Sequence, residues 1–243
     1  MITARKNRLF DSIFAQYNTI ALKRHFHSLQ VSGVDHLTGL DRNLPMIFYA
    51  NHSNWWDGLV QYYLSKEVLH VDPFLMMEEK QMERYKFFRW LGVFSVNRED
   101  GRQAHEAITY ATSLFRAPNR ALWIFPQGVM KANDVRPLEF YPGIAHLAQA
   151  LCRVQLIPVA HKYEFVKNQR PESFTSVGEP LVVEGEFARK ELIGELERRL
   201  TSLLDALRCS VLGEEFNSFT VSLQGKQSSN ARFDRIRGKW DGR

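Results

Sequence analysis

Short apolar runs alternate along this chain with longer stretches in which apolar side chains return every three or four positions. The short runs are Pro45–Ala50, His70–Leu75, Val93–Val96, Ala121–Phe125 and Leu156–Ala160, four to six residues each. Near-continuous apolarity at that length is the pattern of a strand covered on both faces. A further pair of strands is expected within His161–Val183. Helical spacing marks Arg5–Leu29, Trp56–Ser65, Lys80–Trp90, Arg102–Phe115, Pro142–Cys152 and Glu186–Val211. Strands taking turns with helices predict an α/β fold, a twisted, largely parallel mixed sheet covered by helices. Three regions follow: an N-terminal amphipathic helical region (1–30), a catalytic-type body (31–213) and a basic tail (214–243). The tail has few apolar positions and is expected to be loose or to wrap the surface.

Charge adds a second pattern to the first helix. Leu9, Phe10, Ile13, Phe14, Tyr17, Ile20 and Ala21 recur at helical spacing, and from Met1 to Gln30 five lysines and arginines face one aspartate. From Lys226 to Arg243 six cations face two aspartates, and the whole chain carries +5, so the stretch between the ends is slightly acidic. A basic amphipathic helix reads either as lying on an anionic membrane surface or as packing its apolar face on the body. The terminal cations enclose no nucleic-acid-binding module, so no nucleic-acid partner is expected. No run approaches the roughly 18 apolar residues that a membrane span needs. The N-terminus lacks the apolar region of a signal peptide, which points to a cytoplasmic protein. Cys152 and Cys209 fall in helix-like apolar segments and are expected to be buried, reduced thiols. Zinc spacings, phosphate-cradling glycine loops and internal repeats are absent from the sequence.

Chemistry concentrates where the run Pro45–Ala50 ends, in Asn51-His52-Ser53-Asn54-Trp55-Trp56-Asp57. An aspartate five residues after a histidine can accept one ring N–H and leave the other nitrogen free to take a proton from a hydroxyl. A strand ending in a polar turn delivers such a pair to a sheet edge, where open α/β folds place their sites. His36 and Asp41 have the same spacing, but in a loop-like segment around Gly39 with no strand before them. Ser53 is expected to serve the turn, because no serine or cysteine stands in a nucleophile-elbow context. Trp55 and Trp56 fit either a lipid entrance or an ordinary core.

Three further runs follow in order: Gly92-Val93-Phe94-Ser95-Val96-Asn97-Arg98, then Phe125-Pro126-Gln127-Gly128-Val129-Met130, then Leu156-Ile157-Pro158-Val159-Ala160. With the His52 segment, these resemble the four blocks of the glycerolipid acyltransferases of the 1-acyl-glycerol-3-phosphate type. Asn51, His52 and Asp57 match the family's Asn-His-x-x-x-x-Asp. Gly92 to Arg98 approximates Gly-x-x-Phe/Ile-x-x-Arg with loose spacing. Phe125 to Met130 stands where the family has Phe-Pro-Glu-Gly-Thr-Arg, Pro158 matches the fourth block, and Tyr141 to Ala145 looks like the family's Lys-x-Gly helix start.

The resemblance implies an O-acyltransferase in phospholipid biosynthesis, associated with the inner face of the membrane. It would take acyl-CoA or acyl-carrier protein as co-substrate, need no other cofactor, and act directly on a lipid hydroxyl. His52 would be the base, Asp57 its orienting partner, and Asn51, Arg98, Phe125, Pro126, Gln127, Gly128 and Lys131 would meet substrate. The Gln127–Gly128–Val129 turn would supply oxyanion donors and Arg98 would hold an acceptor phosphate. The departures bear on the acceptor: Gln127 replaces a glutamate, Val129 a threonine and Met130 an arginine, with Lys131 one place later. A lysine supplies a point charge where arginine supplies a bidentate fork. A lysophospholipid, a lyso-aminolipid and a glycosylated isoprenoid all stay open as acceptors. A non-catalytic lipid or acyl-carrier binding protein is the rival reading. Condensation domains share a His…Asp-Gly pattern, but one residue shorter and on a longer chain.

Overall fold

The computed structural model describes residues 1–226. Its elements are α1 (Arg8–His25), β1 (Ser28–Ser32), β2 (Met46–Ala50), α2 (Asp57–Glu67), β3 (Asp72–Glu78), α3 (Glu79–Arg84), β4 (Val93–Val96), α4 (Gly101–Leu114), β5 (Arg120–Ile124), α5 (Gly143–Leu151), β6 (Arg153–Glu164), β7 (Glu172–Val177), β8 (Leu181–Glu184), α6 (Arg189–Leu212) and β9 (Thr220–Gln224). The strands form one mixed sheet in the order β4-β3-β5-β2-β6-β7-β1-β9, with β8 pairing the start of β6. From β4 to β6 all neighbours are parallel. The turn to antiparallel comes at β6–β7, and β1 then runs parallel to β7.

The apolar strands are buried on both faces, as their composition predicts. On β2, Ile47 and Tyr49 join Leu122, Ile124, Leu147 and Leu200 beneath α4, α5 and α6, while Met46, Phe48 and Ala50 join Trp123, Val60 and Leu22 beneath α1 and α2. On α6 the inward row Leu192, Leu196, Leu200, Leu204, Leu207 and Val211 follows the helical period.

Several elements differ from the periodicity reading. The first helix stops at His25, because Phe26 turns extended, and Ser28–Ser32 is a strand. Its alternating polar and apolar residues have period 2, which buries Leu29 and Val31 on one face. The expected helix Lys80–Trp90 breaks at Tyr85 into α3 and a 3-10 segment, Lys86–Leu91. The tail contributes β9 on the outer edge of β1, and Phe216 and Phe219 pack on Phe174. At the opposite edge, Ile2 covers β4: Ser95 N–H donates to the Ile2 carbonyl at 2.9 Å, and Ile2 N–H donates to Ser95 Oγ at 2.6 Å. Both cysteines are free thiols but exposed rather than buried: Cys152 ends α5 at a positive φ of 60°, and Cys209 lies two residues from the inward-facing Leu207. The cations of 227–243 lie outside the described residues.

Candidate active site

The carboxyl ends of the parallel strands gather the site. Past Ala50, the last paired residue of β2, the Asn51 side chain takes over the ladder: its Oδ1 accepts from His161 N–H at 2.8 Å and its Nδ2 donates to the His161 carbonyl at 2.9 Å. A second Nδ2 bond reaches Asn133 Oδ1 at 2.8 Å. Asn51 is therefore a backbone mimic, buried and off the cavity lining, which corrects its expected place in contact with substrate.

The next residue is pinned on both sides. His52 N–H donates to Gln127 Oε1 at 2.9 Å, and the His52 carbonyl accepts from Lys131 N–H at 2.8 Å. Gln127 is buried and its oxygen serves the loop, which corrects its placement against a head group. An acceptor oxygen is the need at this position, and glutamine meets it without the cost of burying a charge. The Lys131 ammonium pairs with Glu139, so it is not a free stand-in for the missing arginine.

Asp57, the first residue of α2, is wholly buried and fully hydrogen-bonded. Its Oδ2 accepts from His52 Nδ1 at 2.8 Å, from Ser53 N–H at 2.7 Å and from Asn54 N–H at 2.9 Å. Its Oδ1 accepts from the Tyr163 hydroxyl at 2.7 Å. With Nδ1 donating, the other ring nitrogen, Nε2, is the bare acceptor, and among the described residues nothing bonds to it. The imidazole lies on the Phe125 ring, centroids 4.1 Å apart and 18° from parallel. Ser53 uses its N–H here, while its Oγ has no partner and caps nothing.

Two residues of β6 back the pair and escaped the sequence reading. Tyr163 holds the far oxygen of Asp57, and burial drives its hydroxyl well above the ordinary tyrosine range. His161 shares Nδ1 with Thr175 Oγ1 at 3.0 Å, and burial pushes its imidazole down to about 4 against the opposing pull of Asp57. It is a neutral ring beside the pair. The other His–Asp spacing is not a pair at all: His36 Nδ1 lies 2.9 Å from the Val177 carbonyl, and Asp41 caps Asn43.

His52 opens on a cavity of about 1060 Å³, walled mostly by apolar residues of β3 and α4 such as Phe74, Leu75 and Ile108. Phe125, Pro126, Gly128 and Arg98 also line it; Asn51, Gln127 and Lys131 do not. Trp55 stands exposed at the lining, whereas Trp56 packs against His25 and Phe26.

Arg98 is the only lysine or arginine on the lining among the described residues. Its guanidinium sits 4.8 Å over the Tyr141 ring with no carboxylate in ion-pair reach among the described residues. Its acidic neighbours are occupied: Asp100 caps α4 through Arg102 N–H and Gln103 N–H, and Glu99 faces Lys80 at 3.5 Å. Gly128, at φ +67°, leaves the space the guanidinium fills, since a Cβ there would collide with Arg98 Nη1. The Gly128 N–H is spent on the Phe125 carbonyl at 3.0 Å, so it is not an oxyanion donor.

The carboxyl edge of the sheet thus presents a hydrogen-bonded histidine and an unpaired arginine to a large, mostly apolar cavity. The sequence assigns the class. The acyltransferase family model matches residues 28–162, over half of the 243, and the chain belongs to that family. No curated protein matches the sequence. Among solved structures, the 1-acyl-sn-glycerophosphate (LPA) acyltransferase PlsC of Thermotoga maritima has the same fold, with a TM-score of 0.62 and 16% identity over 84% of each chain. The described residues contain no helix long and apolar enough to cross a membrane, and no cluster of three or more potential metal ligands.

Proposed function

We propose that this protein is an O-acyltransferase that moves a fatty acyl group from acyl-CoA or acyl-carrier protein to a hydroxyl of a lysophospholipid-type acceptor. The observation that carries the reading is the His52–Asp57 bond of 2.8 Å, with Nε2 facing an apolar cavity that also holds an unpaired guanidinium. A lipid hydroxyl titrates far above neutrality and needs a base as it attacks. His52 Nε2 takes its proton while the oxygen bonds to the thioester carbon, and Asp57 steadies the imidazolium. The C–S bond then breaks, the carbonyl reforms, and the proton passes from His52 to the leaving thiolate. The Val129 N–H, unbonded among the described residues, is the candidate oxyanion donor. Arg98 receives the acceptor phosphate as a fork. The likeness to the Thermotoga enzyme supports the same acceptor class.

We further propose that α1 rests on the anionic inner face of the membrane. Its inward row, Phe14 and Leu22, is buried, yet Leu9, Ile13, Tyr17 and Ile20 are all more than half exposed beside Arg5, Arg8, Lys23 and Arg24. Thus the two readings of its amphipathicity describe two faces of one helix. A second acceptor class, a lipid without phosphate, is favoured by one fact: Arg98 is the lone Arg or Lys on the lining among the described residues, since Lys131 is tied to Glu139.

Turnover assays with acyl-CoA and acyl-carrier-protein donors, offered lysophosphatidic acid and an uncharged-head lipid, test the reading. His52→Ala should abolish transfer and His36→Ala should leave it intact. Equal loss from both substitutions, or no turnover with either donor, overturns it.

A further inference from the structure

Among the described residues, Glu78 is the only carboxylate on the cavity lining, as Arg98 is the only lysine or arginine. It ends β3 and stands just before α3, yet its side chain caps nothing and has no ion-pair or hydrogen-bond partner among the described residues. Glu78 is half-buried, and its oxygens stay accessible instead of being shut inside the fold. The charges next to it in the chain are already engaged: Glu79 accepts from Ser95 Oγ at 3.2 Å, and Lys80 faces Glu99 at 3.5 Å.

β3 and β4 run parallel with Glu78 opposite Val96, so Arg98 comes two residues past the position beside Glu78. Strand spacing and rise put the two Cα atoms on the order of 8–10 Å apart. One anion and one cation thus stand on adjacent strand ends of a mostly apolar cavity, paired neither with each other nor with another side chain. When a lipid head group displaces the water between them, an unmatched carboxylate loses solvation and gains nothing. A second anion placed there adds repulsion, whereas an ammonium offsets both costs. We propose that the acceptor head group is zwitterionic, with its phosphate on Arg98 and an ammonium on Glu78, so that lysophospholipids of the ethanolamine type are preferred over lysophosphatidic acid. This rests on the acyl-transfer reading given above and narrows its acceptor.

The test compares kcat/KM for lysophosphatidylethanolamine, lysophosphatidylglycerol and lysophosphatidic acid of equal chain length, with acyl-CoA and acyl-carrier-protein donors, in the wild type and in Glu78→Gln. The wild type should favour the ethanolamine lipid over both anionic acceptors by about fivefold or more, a figure already discounted for a half-exposed pair. Glu78→Gln should remove most of that preference by slowing the ethanolamine lipid, with the two anionic acceptors unchanged or faster. Glu78→Lys should reverse the order. A wild-type ratio near one, or a preference that Glu78→Gln leaves unchanged, overturns the proposal. The Glu78 side chain bonds to nothing among the described residues, so neither substitution removes a contact of the fold; if neither variant folds, the wild-type ratio alone decides. Absence of turnover with every acceptor and both donors refutes acyl transfer itself; turnover without preference for the ethanolamine lipid refutes only the role of Glu78.

Discussion

Replacing Gly128 by alanine would put a methyl group where the Arg98 guanidinium lies, 2.9 Å from Arg98 Cζ and 3.0 Å from Tyr141 Cδ2. The free end of the arginine is the part that gives, so the fork leaves its seat over Tyr141. Two costs separate cleanly. Holding alanine at φ +67° costs on the order of 1 kcal/mol, which lowers Tm by about 2–4 °C in a domain of this size. Losing a charge-assisted bond to an acceptor phosphate costs about 1.5–3 kcal/mol, or roughly 10- to 150-fold in kcat/KM. Gly128→Ala should therefore cut kcat/KM for lysophosphatidic acid by one to two orders of magnitude while an uncharged-head acceptor loses much less. Arg98→Met should have the same signature. Because both changes remove one contact, the double variant should be no worse than the more damaging single one. Steady-state kinetics on the four proteins and two acceptors decide it. Losses that multiply, or that fall equally on both acceptors, would refute the assignment of Arg98 to a phosphate.

Tyr163→Phe strips a donor from the buried Asp57 carboxylate, and should lower kcat about tenfold with little change in KM; an unchanged kcat would reduce Tyr163 to packing. His161, held neutral down to about 4 against 6.5 when free, makes the unfolded chain the better proton binder between those values. Stability should thus be complete above pH 6.5 and fall by about 3 kcal/mol as pH drops to 4; His161→Leu should flatten the urea midpoint across that window. Gln127→Glu keeps the oxygen that receives His52 N–H but buries a charge, so it should lower Tm and slow both acceptors alike rather than switch between them. Exchanging Leu9, Ile13 and Ile20 for serine should weaken binding to anionic vesicles in a flotation assay; unaltered binding would move the membrane contact elsewhere.

The fold was largely readable because its five parallel neighbours, β4 to β6, are buried on both faces and so leave near-continuous apolar runs. The His52–Asp57 pair was readable for a related reason: strand end and helix start lie within seven residues of chain. Side-chain roles were not. Asn51 and Gln127 occupy matching positions in the family pattern, but only the fold decides whether an amide faces a substrate or a backbone peptide. Tyr163 lies 106 positions from Asp57, and no local pattern foretells a hydrogen bond at that separation. The expected helix Arg5–Leu29 runs over the first two residues of β1 and the strand itself is not foreseen, because a five-residue alternation is brief beside the amphipathic pattern leading into it.

The two outer edges of the sheet are closed by peripheral segments, β4 by Ile2 and β1 by β9. An open edge with unpaired peptide groups would template the addition of another chain. β9 is held by its pairing with β1, by buried Leu223 and by Phe216 and Phe219 on Phe174, so cleavage after Gly213 uncovers the β1 edge once those contacts let go. The trimmed protein would then present the β1 edge, with Leu29 and Val31 beside it, to other copies of the chain. Proteolytic nicking there should therefore show itself as self-association before it shows itself as lost catalysis.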